Sequence, residues 1–213
     1  MELQKFIDNN TNYTSVLKEL NLNFKKYSEL GLLIISYKYN VNYDFDKYPF
    51  IKWCRGAIVR LSDNKVICLP VQKALNKYNL NDDISLDNDD KCILQPLIDG
   101  TMINIFYHND EWLLATRSFI GAKNKWDGNL SFKKMFDSII VEKDINLDLL
   151  NKDNSYTFVL QHKDNRIISD IVDNNIVLVD EYSVNDNKFL DLEDKDYGNI
   201  VIIKNNDLSV LNH

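Results

Sequence analysis

Alternating apolar and polar positions predict strands through most of the chain. Leu32 to Tyr39, rich in β-branched and aromatic residues, predicts one strand. Two further pairs of apolar runs each flank a turn-forming tetrapeptide, and each pair therefore predicts a β-hairpin. The runs are 57–61 with 66–69, and 102–107 with 112–117. The sheet is accordingly expected to be largely antiparallel.

A smaller number of segments have helical spacing. Phe132, Met135, Phe136, Ile139 and Ile140 lie at i, i+3, i+4, i+7 and i+8, which predicts an amphipathic helix packed on an apolar surface. The first thirty residues have a helix-like mixture of apolar and polar positions and predict a helical cap over residues 1–30. Further strands are predicted at 156–161, 166–168, 176–179, 199–203 and 208–211.

This order of elements predicts a single α+β domain over residues 1–213, without a separate C-terminal domain. The acidic stretch 79–90 is predicted to be a solvated loop within that domain.

Composition and charge narrow the classes of partner. With 213 residues, 45% of them apolar, the chain can bury a sizeable core. A net charge of -7 disfavours duplex DNA and anionic membranes as partners, because the long-range field repels phosphate. The sequence has neither an apolar run of about 18 residues nor a signal-peptide core, so a cytoplasmic location is expected.

The cysteine and histidine spacing predicts neither a disulfide nor a metal site. Cys54, Cys68 and Cys92 are widely spaced, lie in apolar strand-like segments, and are expected to be buried reduced thiols. We expect no metal and no cofactor.

Leu97-Ile98-Asp99-Gly100-Thr101 opens the second predicted hairpin. Together with its neighbours this segment resembles the acceptor motif Lys-x-Asp-Gly-Ser/Thr of the phage-type RNA ligase 1 family, whose members are covalent nucleotidyltransferases. Other segments that resemble the family follow its order across nearly the whole chain. They are Ser36-Tyr37-Lys38-Tyr39, Cys54-Arg55-Gly56, the stretch from Pro70 to Asn76, Thr116-Arg117-Ser118, the stretch from Tyr156 to Ile168, and the final strands. The resemblance implies an antiparallel-sheet-rich nucleotidyltransferase domain, similar to RNA and DNA ligases, with flanking helices.

The resemblance also implies that the catalytic positions are degenerate. Leu97 stands where the family has the acceptor lysine, and a hydrocarbon side chain has no lone pair with which to attack a phosphorus atom. Val159 and Tyr197 stand where the family has glutamates, and Val210 and Asn212 lie about where it has two phosphate-binding lysines. We therefore expect a pseudoenzyme rather than an enzyme.

Six positions keep the residue type that surrounds the nucleotide and its phosphates in the family: Arg55, Lys73, Asp99, Gly100, Arg117 and Arg166. The resemblance implies phosphate contacts by the arginines and the lysine. It also implies a sugar contact by Asp99. The expected ligand bears a nucleotide, foremost an RNA 5′ end or an mRNA cap.

Several aromatic residues flank these motifs and could stack on a base, although aromatic residues in strands usually pack in the core. They are Trp53, Tyr78, Tyr107, Trp112, Trp126 and Tyr182. Lys123 and Lys125, with Lys133 and Lys134, could extend a positive lip beside the pocket, or could simply form a solvated face.

Two alternatives remain open. In the first, the fold serves as a structural or interaction scaffold in a larger complex, for example a viral one. Arg55 and Arg166 are then exposed or ion-paired strand residues, and Asp99-Gly100 is only a turn. In the second, the chain is an active ATP-dependent RNA ligase whose nucleophile has moved to Lys91 or Lys73, which would also require replacement metal ligands.

Overall fold

The computed structural model describes residues 1–74, 93–125, 129–193, 195–203 and 206–207, with 93–94 and 206–207 described by backbone only. These residues include three α-helices and twelve short or medium strands. The helices are α1 (Glu2–Asp8), α2 (Tyr13–Glu19) and α3 (Phe132–Glu142). The strands are β1 (Asn23–Tyr27), β2 (Leu32–Ser36), β3 (Arg55–Arg60), β4 (Lys65–Cys68), β5 (Ile93–Leu94), β6 (Thr101–His108), β7 (Glu111–Ala115), β8 (Asn154–Gln161), β9 (Asn175–Ser183), β10 (Lys188–Leu190), β11 (Val201–Ile202) and β12 (Asn206–Asp207). Pro49–Trp53 and Leu147–Leu149 are 3₁₀ turns.

The strands form two main sheets. The first has the order β1-β2-β3-β4, and the second has the order β10-β9-β8-β6-β7. Neighbours in both orders are antiparallel, whereas β11 pairs with β9 in parallel, and β5 with β12 forms a separate antiparallel pair. The predicted α+β class and its antiparallel sheets are confirmed, as are both hairpins and α3.

The two faces of a strand bury different sets of side chains. This explains how the sheets and the helices are layered. In β2, Leu33 and Ile35 pack under α1 and α2, whereas Leu32 and Ile34 join the cluster between the sheets. In β6, Phe106 faces the first sheet, and Ile103 and Ile105 pack against α3. The period-2 alternation of strands thus places the two sheets between α1 and α2 on one side and α3 on the other.

Some of the predicted elements need correction. The helices of the predicted cap over residues 1–30 end at Glu19, and residues 23–27 form the edge strand β1. Residues 166–168 are irregular rather than a strand, because Asp99 binds their backbone from across the sheet. The predicted loop 79–90, the strand 208–211, Cys92, Tyr78 and Trp126 lie outside the described residues.

Two of the predicted thiols are described. Cys54 and Cys68 are free and buried, and burial raises the pKa of Cys68 to about 12. All described helices are too short and too polar to cross a lipid bilayer.

Candidate nucleotide-binding site

Arg55 and Arg117 meet where the end of the first sheet approaches the turn after β7. Gly56 makes this approach possible: its φ is +107°, and an added Cβ would lie 2.9 Å from the Cα of Arg117. Arg55 Nη1 donates to the carbonyl of Gln72 at 3.3 Å, and Arg117 Nη2 donates to the carbonyl of Tyr37. These two arginines with Tyr37 and Tyr39 are called the arginine corner below.

The arginine corner contains hydrogen-bond donors that have no acceptor. The Nε atoms of Arg55 and Arg117 are both buried and have no partner among the described residues. A buried unsatisfied donor is unfavourable by about 1–3 kcal/mol, and more for a charged group. The described part of the protein therefore leaves these two donors unsatisfied.

Arg117 is also stacked on aromatic rings. Its guanidinium carbon lies 3.6 Å from the ring centroid of Tyr39 and 4.7 Å from that of Tyr37. Tyr37 is buried, but Tyr39 is 80% exposed. One aromatic face therefore lies open beside a cation that binds phosphate well.

Lys73 joins the same surface through a row of aromatic side chains. Tyr37 is in edge contact with Tyr43, which packs at a tilt on Phe45, with ring centroids 6.2 and 6.3 Å apart. The ammonium of Lys73 lies 5.8 Å from the ring centroid of Phe45. Arg55, Arg117 and Lys73 are thus neighbours on one side of the candidate site.

Asp99, Gly100 and Arg166 form a second group. The Asp99 carboxylate accepts the backbone N–H groups of Ile168 and Ser169 at 3.0 and 2.8 Å, so it holds the loop after β8. Gly100 packs tightly on β8, where an added Cβ would lie 2.6 Å from the carbonyl oxygen of Leu160. Arg166 is largely exposed and pairs with Asp170 at 3.1 Å.

A cavity of about 230 Å³ lies between strands β6, β8 and β9 of the second sheet and the segment that follows β4 of the first sheet. We call it the inter-sheet cavity. Its lining is Val71, Gln95, Pro96, Ile98, Met102, Val159, Val179, Asp180 and Ile203. Burial raises the pKa of Asp180 to about 7, although a hydrogen bond from the backbone of Glu181 opposes this shift. No lysine belongs to the described lining of this cavity.

Leu97 and Tyr197 do not face the inter-sheet cavity. Leu97 is fully exposed at the rim of a wider outer groove that Asp99 also lines, whereas its neighbour Ile98 lines both this groove and the inter-sheet cavity. Tyr197 is buried in the cluster around α3, and its hydroxyl donates to the buried carboxylate of Glu181. Among the described residues, no cluster of three His, Cys, Asp or Glu side chains could hold a metal ion.

An exposed aromatic ring beside Arg117, that of Tyr39, is a feature that the sequence does not indicate. Of the aromatic candidates that are described, Tyr182 is buried and Trp53 stacks on Phe189. Tyr107 packs edge-on against Trp112. The sequence pattern predicts a strand that extends to Tyr39. In the structure β2 ends at Ser36, and the ring of Tyr39 lies outside the sheet.

Comparisons with known proteins give one distant match. The chain is 23% identical, over an alignment of 167 residues that covers 71% of it, to a candidate bifunctional polynucleotide kinase/RNA ligase of Autographa californica nuclear polyhedrosis virus. The chain covers only 24% of the length of that viral protein. No model of a protein family matches the chain.

Proposed function

We propose that the chain is a catalytically inactive RNA-ligase-like domain that binds the 5′ end of an RNA, phosphorylated or capped. The observation that carries this proposal is the arginine corner, where Arg117 stacks on the exposed ring of Tyr39 and the Nε atoms of Arg55 and Arg117 have no acceptor among the described residues. The distant match to a protein with RNA ligase in its name supports RNA as the ligand class.

Phosphate is the chemistry that suits the two arginines. Each guanidinium is anchored by one N–H to a backbone carbonyl, which fixes its orientation before a ligand arrives. The remaining N–H groups form a planar set of donors that matches the oxygens of a phosphate. Pre-oriented donors lose less side-chain entropy on binding, so the corner is suited to a 5′ phosphate.

A nucleobase is the chemistry that suits Tyr39. Unpaired RNA bases are commonly recognised by stacking on aromatic rings, and the outer face of Tyr39 is open. Arg117 supports the opposite face at 3.6 Å. A terminal nucleotide can therefore place its phosphates on the arginines and its base on the tyrosine. A methylated cap purine, which carries positive charge, would gain most from such a ring.

Lack of catalysis is proposed because Leu97 stands at the position that resembles the family's acceptor lysine, and because the inter-sheet cavity has no lysine in its described lining. Lys143 lines the outer groove, but it lies at the end of α3, outside the acceptor motif. The described lining of the inter-sheet cavity includes Val159 and Ile98 but no lysine, and Lys73 points instead toward Phe45. Asp180 is the only carboxylate in that lining, and its raised pKa disfavours metal binding at neutral pH. The alternative of a displaced nucleophile at Lys91 falls outside the described residues.

Arginine substitution tests the proposal. We expect Arg55→Ala and Arg117→Ala each to weaken binding of a 5′-phosphorylated pentanucleotide RNA by ~1 to 3 kcal/mol, the typical contribution of a charge-assisted hydrogen bond. The slope of log affinity against log salt should fall by about 0.7 for each lost phosphate contact. Fluorescence anisotropy at several salt concentrations measures both.

Arg60→Ala is the matched control, because Arg60 lies at the other end of β3 and is paired with Asp63 at 2.6 Å. It should bind like the wild type. Arg166→Ala should have a smaller effect than the corner variants, since Arg166 is already paired. If the wild type has no measurable affinity, or if all four variants bind equally, the scaffold alternative is favoured.

Substitution of Tyr39 tests whether the arginine corner prefers a capped RNA or a 5′-monophosphate RNA. Tyr39→Leu should reduce affinity for a capped RNA more than for a 5′-monophosphate RNA, and Tyr39→Phe should restore both. Equal losses for the two RNAs would mean that the corner does not recognise a cap.

A further inference from the structure

We propose that a second groove, next to the arginine corner, binds the single-stranded RNA that follows the 5′ nucleotide. This proposal rests on the proposed function for the position of the RNA end. The groove has a volume of about 820 Å³ and lies between β1 and the turn after β7. We call it the lysine groove, after Lys25, Lys26, Lys123 and Lys133, which line it together with Tyr27 and Phe119.

The charge of the lysine groove is opposite to that of the whole chain. Four lysines line it against two acidic residues, Glu29 and Glu111, which leaves a local excess of two positive charges in a protein of net charge -7. Lys133 also pairs with Asp137 at 2.8 Å, but both side chains are about half exposed. Such an exposed pair is weak and can be exchanged for a phosphate.

An exposed ring lies among these lysines. Phe119 is 44% exposed, and the ammonium of Lys25 is 4.9 Å from its centroid and 4.8 Å from that of Tyr27. The backbone that carries this ring is fixed, because the N–H of Thr116 donates to the carbonyl of Phe119 at 2.9 Å, and the N–H of Ile120 donates to the Tyr27 hydroxyl at 3.1 Å. Lysines that track a backbone together with an aromatic platform are typical of single-strand binding sites.

The groove lies close to the arginine corner along the chain, because Arg117 of the corner and Phe119 of the groove are two residues apart. Arg117 contacts Tyr37 and Tyr39, and Phe119 contacts Lys25. Two residues of chain span at most about 7 Å, so one short RNA can reach both. An acidic peptide is the other polyanion that could bind lysines. An acidic peptide without aromatic side chains has no planar group to stack on the exposed ring of Phe119, whereas every RNA base has one.

The first test compares two double variants of equal charge. Lys25→Gln with Lys123→Gln removes two groove lysines, and Lys5→Gln with Lys18→Gln removes two exposed lysines from α1 and α2. For a 3′-labelled oligouridylate of ten nucleotides with a 5′ phosphate, the groove variant should lose about 1.4 from the salt slope and at least 10-fold in affinity. The α1 and α2 variant should lose less than 2-fold.

The second test concerns Phe119. Phe119→Ala should weaken binding of the decanucleotide at least 5-fold, whereas Phe119→Tyr should bind like the wild type, because base stacking requires only a ring. Val141→Ala is the control, since Val141 is an even more exposed apolar side chain on α3 and does not line the groove. Unfolding midpoints should agree within the series, so that a loss of fold is excluded.

Ligand length separates this proposal from the proposed function. If the corner binds the 5′ end and the groove binds the following strand, the groove variants should leave binding of a 5′-monophosphate dinucleotide unchanged while weakening the decanucleotide. A 5′-hydroxyl decanucleotide that still depends on Lys25 and Phe119 supports the groove even if the corner variants have no effect. Equal binding by the wild type and the groove variants would overturn the proposal. So would competition by oligoglutamate that equals competition by oligouridylate.

Discussion

Burial of the Asp180 carboxyl group makes its contribution to the free energy of unfolding depend on pH. Its pKa is about 7 in the folded chain against an ordinary value of 3.8. The native state therefore binds the proton more tightly, and stability falls as pH rises from about 4 to 7. We expect Asp180→Asn to have the same free energy of unfolding as the wild type near pH 4 and to exceed it above pH 7 by about 2 to 4 kcal/mol. Urea unfolding at a series of pH values measures the difference.

Asp148→Asn is the control for this experiment, because Asp148 is exposed on a 3₁₀ turn. Its effect should not change between pH 4 and pH 8. If the difference in free energy of unfolding between Asp180→Asn and the wild type is the same at pH 8 as at pH 4, the raised pKa of Asp180 is contradicted.

Individual residue types were partly predictable at the candidate site. The arginines were identified because guanidinium groups at family-like positions imply phosphate contacts, and the structure brings Arg55 and Arg117 together with Lys73. Asp99 and Arg166 lie apart from them, since the Asp99 carboxylate binds the loop after β8. The open ring of Tyr39 could not be predicted, because exposure depends on where β2 ends rather than on the residue type.

At the scale of elements, the hairpin between β6 and β7 has a loop whose residues can be replaced to increase stability. His108 pairs with Glu111, so Asn109 and Asp110 form a two-residue loop, and both have positive φ, +50° and +63°. Such a loop favours Asn-Gly, since glycine adopts positive φ without steric strain. We expect Asp110→Gly to raise the free energy of unfolding by about 0.5 to 1 kcal/mol.

The control for the hairpin is Asp110→Val, because a β-branched residue is strongly disfavoured at positive φ. That variant should be less stable than the wild type. Denaturant midpoints with unchanged slopes provide the measurement, and a destabilised glycine variant would show that the Asp110 side chain has a role beyond the turn.

Elements with a strong local pattern were predictable, and elements held by distant contacts were not. The hairpins and α3 carry their signal in turn residues and apolar spacing, so they were found. Strand β1 has four exposed residues in succession and no alternation, as expected for an edge strand. Ile167 and Ile168 resemble a strand locally, yet Asp99, about seventy residues earlier in the chain, holds this segment as a loop.

At the scale of the whole molecule, the distribution of charge separates two surfaces. The chain is acidic overall, but Arg55, Lys73 and Arg117 lie around one aromatic surface, and Lys25 and Lys123 line the adjoining groove. The field of the remaining acidic surface should repel long duplexes, so the RNA binding proposed above would depend on short-range contacts with a single strand. The arrangement is consistent with the proposed binding of one RNA end.

The same arrangement predicts the result of an assay for covalent nucleotide transfer. Incubation of the chain with α-labelled ATP and Mg²⁺ should give no label that survives denaturation, because the described lining of the inter-sheet cavity has no lysine and Val159 supplies no carboxylate. Leu97→Lys alone should also remain unlabelled, since residue 97 is exposed at the outer groove and Ile98 occupies the position beside Val159. An active RNA ligase in a parallel reaction shows that the assay works. An acid-labile, alkali-stable adduct on the wild type would identify a displaced lysine nucleophile and overturn the pseudoenzyme proposal. If only Leu97→Lys is labelled, loss of the lysine is the only catalytic defect.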